Sequence, residues 1–293
     1  MSLIKYTALL KSIELGSISQ AAEYMGYTQP AVSRMIADLE REWGVALLHR
    51  SRAGLTLSPS CERLLPVLRA IQSDCEELAY IVGEFHGVQS GRVRVGSFTS
   101  VSDMWVPVLL KSFQELYPNI EFDVINLDTY AEVEDWIRHG KVDCGFVSLP
   151  TTNDLDTRFL IRDELVAVLP PDHPLADSPT FPIRELEGAP FIKCLEKADY
   201  EVSHFLASIP YTPTMRYEVS NDHTILAMVE SGLGISICHS LIAANPRYNV
   251  VWKPFDQGQY RDIGIATAKN TRLTSATNLF IDHVCKQMSN QKP

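Results

Sequence analysis

Long hydrophobic runs are missing from this chain of 293 residues. No stretch reaches the roughly 18 consecutive apolar residues that a membrane-spanning helix needs, so we expect no contact with a membrane. Charged residues interrupt the N-terminus at Lys5, Lys11 and Glu14, which argues against a secretory signal. The six cysteines are scattered without any CxxC pair. This spacing favours reduced thiols and a cytoplasmic location over a disulfide framework or a zinc site.

Motifs of the common enzyme classes are also missing. The sequence contains no GxSxG nucleophile elbow, no P-loop and no HExxH, and the eight histidines show no close metal-ligand spacing. The "GLG" at 232–234 lacks a third glycine and follows a predicted helix, so we interpret it as a helix end. We therefore expect no enzyme, no metal and no cofactor. The alternative is a small-molecule-binding or catalytic α/β protein whose N-terminal helices serve only for interaction.

An overall excess of positive charge is missing as well, because the formal net charge is −10 at pH 7. The distribution is uneven. Residues 1–60 contain six Lys or Arg and five Asp or Glu, whereas the remainder contains 20 basic and 31 acidic residues. A nearly neutral N-terminal unit with arginines on particular faces can still bind phosphate, while the acidic remainder would be held away from nucleic acid. Charge alone therefore decides nothing about DNA binding.

The N-terminal part of the chain predicts three short helices. Residues 3–15 carry apolar side chains at helical spacing and end at a glycine. In "SISQAAEYMG", Ser19 is expected to cap a second helix, and Gly26 supplies the left-handed residue that ends it. The stretch "TQPAVSRMIADLE" predicts a third helix, with Thr28 as N-cap and Pro30 in its first turn.

The third helix has two different faces. One is apolar, and the other presents Gln29, Ser33 and Arg34 beside small alanines. Two short helices joined by a tight turn predict a helix-turn-helix, whose second helix enters the major groove; there Gln pairs with adenine, Arg with guanine or phosphate, and Ser with either. The following "LLHRSRAGLTLS" predicts a two-stranded wing whose Arg50 and Arg52 would reach the DNA backbone or the minor groove. A plain helical hairpin with a solvated polar face is the alternative. The candidate DNA-binding residues are Ser19, Thr28, Gln29, Pro30, Ser33, Arg34, Arg50 and Arg52.

The run "GSISQAAEYMGYTQPAVSRMIADLEREWGVALLHRSRAGLTLSP" closely resembles the N-terminal signature of the LysR-type transcriptional regulators, and the resemblance covers nearly the whole chain. Three positions depart from the family pattern, which usually has Phe at Ile18, a basic residue near Ala53 and Gly at Cys61. The resemblance implies a sequence-specific regulator that binds double-stranded promoter DNA as a homodimer or homotetramer. It also implies a small-molecule effector and a contact with RNA polymerase.

The same resemblance implies the architecture, an α+β multidomain protein. An N-terminal winged helix-turn-helix, a long linker helix and a two-lobed α/β effector domain like the periplasmic binding proteins would follow one another. The implied boundaries are 1–58 for the DNA-binding domain, 59–89 for the linker and 90–293 for the effector domain, with lobe I at 90–162 and 266–293 and lobe II at 163–265.

Residues 58–88 predict one long helix with a narrow apolar stripe. Its apolar residues are spaced alternately by four and three, which is typical of the a/d seam of a coiled coil. A core helix would show a similar stripe, but in the resembling family this segment pairs two DNA-binding heads. The residues assigned to dimerisation are Leu64, Leu68, Ile71, Cys75, Leu78, Val82 and Phe85.

Downstream, predicted strands and helices alternate, which indicates a parallel α/β sheet that includes one helix over 101–117. The cleft between two such lobes should be lined by strand ends and helix N-termini. Hydroxyl and N–H groups after the first strand would suit an anionic effector, although Ser and Thr at such positions often serve only as caps. The candidate effector-binding residues are Ser97, Phe98, Thr99, Ser100, Val147, Ser148, Lys193, Asn221 and His223.

Overall fold

The computed structural model describes residues 2–51, 54–85, 90–127, 129–152, 154–195 and 200–289. The chain begins with a head of three helices and a two-stranded wing, continues through one long helix and ends in a two-lobed α/β domain. The head comprises α1 (Leu3–Glu14), α2 (Ile18–Met25), α3 (Gln29–Trp43), β1 (Leu48–Ser51) and β2 (Gly54–Leu57). In the part of the chain that the structure describes, no helix is both long and apolar enough to cross a bilayer.

The three helices of the head pack around one apolar core. Leu9 of α1 and both Val32 and Leu39 of α3 are fully buried in it. Gly26 and Gly44 end α2 and α3 with φ of +70° and +69°, a left-handed conformation that only glycine adopts at little cost. The tight turn after Gly26 joins α2 to α3, so the predicted helix-turn-helix is present.

One predicted helix cap is wrong. Ser19 lies inside α2, and the N-cap is Ser17, whose Oγ accepts the backbone N–H of Gln20 at 3.4 Å. The helix begins earlier because Ile18 is buried in the head core, which fixes it in the first turn. Thr28 does occupy the N-cap position of α3, but its side chain makes no capping hydrogen bond.

The long helix α4 (Pro59–Phe85) corrects the predicted seam. Leu68 is only 4% exposed, and both Leu64 and Ile71 pack with it against the core of the head in the same chain. The first turns of α4 therefore complete an intramolecular core, because α1 lies against them. Leu68 is therefore covered within its own chain, whereas Leu64 and Ile71 are half-buried and their dimerisation role stays a prediction.

The C-terminal half of α4 is more exposed. Leu78 is 62% and Val82 is 46% exposed, and Ile81 beside them is 37% exposed. Cys75 is half-buried, and the side chain of Phe85 lies outside the described residues. The dimerisation role of this half of the helix stays a prediction.

Lobe I contains β3 (Ser90–Ser97), α5 (Thr99–Met104), α6 (Val106–Gln114), β4 (Asn119–Asn126), α7 (Tyr130–Arg138), β5 (Cys144–Leu149), β11 (Tyr260–Ala268) and α11 (Ser275–Ser289). Strands β4, β3 and β5 are parallel neighbours, as predicted. The single helix expected over 101–117 is two helices that meet at Trp105. Pro107 explains the break, because its nitrogen has no proton to donate to the preceding turn.

Lobe II contains β7 (Pro190–Cys194), α8 (Tyr200–Ser208), β8 (Thr214–Val219), α9 (Asp222–Glu230), β9 (Ser236–His239), α10 (Ser240–Ala243) and β10 (Val251–Pro254). The long strand β6 (Leu155–Leu169) belongs to both lobes, since its first part pairs with β11 and its last part pairs with β9 and β10.

The return of the chain to lobe I differs from the prediction. The predicted lobe boundaries imply a crossing near residue 265, but β11 pairs with β5 of lobe I from Asp262 to Ala266. Ile263 and Ile265 also belong to the main core of lobe I. The crossing therefore lies before Tyr260, in the segment that connects β10 to β11.

Candidate functional site

The first two turns of α3 form an exposed polar surface. Gln29, Pro30 and Arg34 are exposed, and Ser33 is half-buried beside them. Neither Gln29 nor Arg34 makes a hydrogen bond or ion pair with another described residue. An exposed amide and an exposed guanidinium at the start of a second helix have the geometry that reads base edges in the major groove.

Two acidic residues of α3 bind partners other than Arg34. Asp38 accepts a hydrogen bond from Lys5 at 3.2 Å and pairs with Arg41 at 3.1 Å, and the bond from Lys5 lowers the pKa of Asp38. The carboxylate of Glu40 accepts the backbone N–H groups of residues 47 and 48 at 2.8 and 3.3 Å, where the wing begins. No carboxylate of α3 therefore pairs with Arg34, so its guanidinium is available to DNA.

The wing is attached to the head through its ends. Ser58 donates its hydroxyl to the carbonyl of Ala46 at 2.6 Å and accepts the N–H of Cys61 at 3.0 Å, so one side chain closes the wing and caps α4. The backbone of Arg50 lies on β1 opposite Leu55. The side chain of Arg50 and all of Arg52 lie outside the described residues, so their contacts stay a prediction.

A small cavity of about 80 Å³ separates the two lobes. Four of the predicted effector residues line it, namely Phe98, Thr99, Ser100 and Asn221. The other lining residues are not among the predicted effector residues: Tyr130, Ser220, Asp222, Cys238, His239, Ile242 and Arg261. The cavity is polar on both sides, and the N-terminus of α5 and the N-terminus of α9 both open onto it.

The remaining predicted residues lie elsewhere. Ser97 is fully buried and donates its hydroxyl to the carbonyl of Phe98 at 3.4 Å, while Val147 is fully buried in the core of lobe I. Lys193 is half-buried on β7 and does not line the cavity. Ser97 and Val147 are buried within lobe I, so neither side chain reaches the cavity.

Two of these residues join the lobes instead. Ser148 of lobe I donates to Oε1 of Glu201 in α8 of lobe II at 3.2 Å. His223 of α9 pairs through Nε2 with Asp103 of α5 at 2.7 Å, and its Nδ1 lies 3.1 Å from the hydroxyl of Tyr248. Both contacts cross the cleft, which fits residues that hold the lobes together better than residues that bind a ligand.

A buried ion pair lies at the base of the cleft. Arg261 on β11 donates from Nε and Nη2 to Oδ2 of Asp163 on β6, at 2.9 and 2.6 Å. The side chains are only 3% and 1% exposed. The other oxygen of Asp163 accepts the hydroxyl of Ser240 at 2.8 Å and the N–H of Leu241 at 3.0 Å, both from α10.

Arg261 also reaches lobe I. Its Nη2 donates to the hydroxyl of Ser100 at 2.8 Å and its Nη1 donates to the hydroxyl of Tyr130. Its guanidinium lies 5.0 Å from the ring centre of Phe98. Burial alone would lower the pKa of Arg261, but Tyr130 and Asp163 raise it above its usual range. The residue is a fixed cation that connects both lobes.

Two cavity residues have side-chain groups that are not used in hydrogen bonds to other described side chains. The Nε2 atom of His239 is buried and has no hydrogen-bond partner among the described residues. Burial, with a contribution from Arg261, lowers the pKa of His239 well below its usual value, so the ring is neutral. Asp222 likewise forms no hydrogen bond to another described side chain, and burial raises the pKa of its carboxyl. A ligand would find one neutral imidazole and one carboxyl group available.

Two family models match the chain. The model described as "Bacterial regulatory helix-turn-helix protein, lysR family" matches residues 5–62, and the model described as "LysR substrate binding domain" matches residues 86–289. The first match coincides with the head and the start of α4, and the second with the two-lobed domain.

Relatives and solved structures agree with these matches. The probable HTH-type transcriptional regulator LrrA of Synechococcus elongatus is 33% identical over 245 residues, which cover 83% of this chain and 82% of the relative. The structure of full-length OxyR from Pseudomonas aeruginosa has a TM-score of 0.78 at 21% identity, covering 97% of this chain and 94% of that one. Full-length CbnR complexed with its target DNA has a TM-score of 0.64 at 18% identity, covering 98% and 100%. At these identities the two structures demonstrate a shared fold.

Proposed function

The chain belongs to the LysR family of bacterial transcriptional regulators, with a DNA-binding head and an effector-binding domain, and on that premise we propose how it works. The N-terminal turns of α3 enter the major groove of double-stranded promoter DNA. The observation that carries this proposal is the pair of exposed side chains, Gln29 and Arg34, that make no hydrogen bond or ion pair to another described residue. The wing, through Arg50 and Arg52, would add contacts to the phosphate backbone.

The protein would act in the cytoplasm as a homodimer or a homotetramer, and would contact RNA polymerase at its promoter rather than catalyse a reaction. The exposed apolar residues Leu78, Ile81 and Val82 on the second half of α4 support pairing between chains. Pairing about a two-fold axis would place two copies of α3 on successive half-sites of a pseudo-palindrome.

A small effector would bind between the lobes and change their relative position. The cavity of about 80 Å³ fits a compact, polar molecule. Our first expectation was an anion, but all three nitrogens of Arg261 already donate to partners. The available groups are the carboxyl of Asp222 and the neutral ring of His239. These groups favour a polar effector that exchanges hydrogen bonds with a carboxyl group and an imidazole nitrogen, such as a hydroxyl or amino compound.

The decisive test is sequence discrimination by the full-length protein. Fluorescence anisotropy would compare a duplex from the promoter upstream of the protein's own gene with a scrambled duplex. We expect Gln29→Ala and Arg34→Ala each to reduce the preference by ~1–3 kcal/mol, the usual value of a bidentate base contact. Arg247→Ala, an exposed arginine of the effector domain, is the matched control and should change nothing. An unchanged preference in both head variants would refute the assignment of α3.

A further inference from the structure

A second cavity, of about 510 Å³, lies between the linker helix α4 and lobe I. Two contacts hold α4 on either side of it. Arg69 donates from Nη1 to the carbonyl of His139, and Glu77 accepts the N–H and the hydroxyl of Ser275, both at 2.7 Å. Between these contacts Ala70, Ser73 and Asp74 of the helix line a groove of the size that small ligands occupy.

The walls of the groove combine apolar carbon with positive charge. Val67, which is 59% exposed, and Ala70 face Ala268 and Leu273 across it. The charged residues that line it are Arg69, Asp74, Arg94, Arg138, Asp143 and Arg272. Four arginines and two aspartates thus line the groove together with apolar side chains.

The carboxylates do not balance these arginines. Asp143 is bound by Arg94, whose Nε and Nη2 donate to it at 3.2 and 2.6 Å. Arg138 pairs with Asp135, outside the groove, at 2.7 Å. Neither Arg69 nor Arg272 forms an ion pair with any carboxylate of the described residues.

Of the two arginines without an ion pair, Arg69 gives the stronger evidence for an anion site. Its side chain is half-buried, and the burial, with repulsion from Arg94, lowers its pKa to about 10. Glu14 and Asp143 offset this lowering only in part, and neither forms an ion pair with Arg69. A guanidinium held beside another guanidinium would therefore gain from the opposite charge of a bound anion.

The position of Arg69 connects the groove to the head. Arg69 and Arg94 also line a third cavity, of about 280 Å³, together with Lys11, Glu14 and Tyr24 of the head. The two arginines therefore separate the groove from the surface where the head rests on lobe I. An anion that moved them would act directly on the position of the DNA-binding head.

We propose that this groove is a second effector site, distinct from the interlobe cleft, that binds a small organic anion carrying two or more carboxylate or phosphate groups on an apolar body. Arg272 and Arg69 bind the anionic groups, and the wall formed by Val67 and Leu273 contacts the carbon skeleton. Occupation of the site changes DNA affinity through Arg69, whatever occupies the cleft.

The test uses the full-length protein and phthalate, an aromatic dicarboxylate that matches this description. Isothermal titration calorimetry would measure its affinity, with neutral phthalamide and inorganic sulfate as comparison ligands. Arg272→Gln is the informative variant, because Arg272 is exposed and unpaired with any described residue and its loss should not disturb folding. Arg247→Gln is the matched control on a distant surface.

We expect saturable phthalate binding that weakens at least tenfold in Arg272→Gln and is unchanged in Arg247→Gln, with no binding of phthalamide. Phthalate should also shift the operator affinity of the wild type. Binding that survives Arg272→Gln but is lost in the cleft variant Thr99→Phe would place the anion in the cleft and overturn the proposal. The absence of saturable phthalate binding, or equally strong binding of sulfate, would also overturn the proposal. So would a change in the oligomeric state of the protein with no phthalate bound, because it would indicate that a second copy of the chain covers the groove.

Discussion

Removal of Asp163 would test whether the buried ion pair supports the effector domain. Asp163→Ala would leave the guanidinium of Arg261, only 3% exposed, without a carboxylate. Breaking a buried pair in this way costs about 3–5 kcal/mol, because the remaining charge stays buried and uncompensated. For a domain of this size about 2–4 °C of melting temperature corresponds to each kcal/mol. We therefore expect the effector domain to melt roughly 6–20 °C lower.

The same two strands provide a matched control. Arg162 and Asp262 pair directly beside the buried pair, with Nε to Oδ1 at 2.8 Å, but their side chains are 61% and 31% exposed. An exposed pair contributes roughly 0–1 kcal/mol. Asp262→Ala should therefore lower the melting temperature by at most about 4 °C, although the distances in the two pairs are similar.

A double variant separates charge from shape. Asp163→Leu combined with Arg261→Met replaces both ions by apolar side chains of similar size, which is usually close to neutral for stability. Most of the lost stability should return, while the response to effector should not, because Ser100, Tyr130 and α10 lose their shared partners. Thermal unfolding followed by circular dichroism measures the first effect. If Asp163→Ala costs less than about 1 kcal/mol, or the double variant is no better than the single one, the reasoning is wrong.

Three further predictions concern the cleft and the linker. Thr99→Phe should fill the cavity of about 80 Å³ and abolish the effector response in reporter assays while operator affinity stays unchanged; a normal response would place the effector elsewhere. Because the pKa of His239 is lowered in the folded state, the unfolded chain binds more protons below about pH 6.5, so stability should fall on acidification by up to ~1.4 kcal/mol per pH unit. His239→Gln should flatten this dependence in melts at pH 7 and pH 5.5, and an unchanged slope would contradict the neutral buried ring. Mild oxidation should produce a covalent dimer on non-reducing electrophoresis if Cys75 meets its own copy across antiparallel α4 helices, and Cys75→Ser should abolish it; a purely monomeric band would leave Cys75 as a packing residue.

Local patterns in the sequence predicted the order of the elements well. Glycines and apolar periodicity located the helix-turn-helix, and alternating strands and helices located both lobes. The predicted seam is wrong at Leu68 because periodicity reports which face of a helix is apolar, not which partner covers that face. Leu68 fits a coiled-coil stripe, but it is covered by α1 of its own chain.

The cleft was predicted only in part, since contacts between residues far apart in the sequence decide which strand ends face it. Val147 follows the same local rule as Ser148, yet one is in a core and the other crosses between the lobes. His239 gave no local signal. Its importance comes from the burial of Nε2 without a partner, which is a property of the folded arrangement.

Arg261 did leave a signal that the sequence analysis missed. The dipeptide Arg-Asp occurs at 162–163 in "IRDEL" and again at 261–262 in "YRDIG". When two such strands pair antiparallel, each arginine lies opposite the other strand's aspartate, and this is the observed register. A slip by one residue would place like charges opposite each other, so the two dipeptides also help to select the register. The inner pair can be identified as well, because Arg261 shares a strand face with the buried Ile263 and Ile265. A charged residue on the same strand face as core isoleucines needs an oppositely charged partner, and the matching Arg-Asp dipeptide identifies Asp163 as that partner.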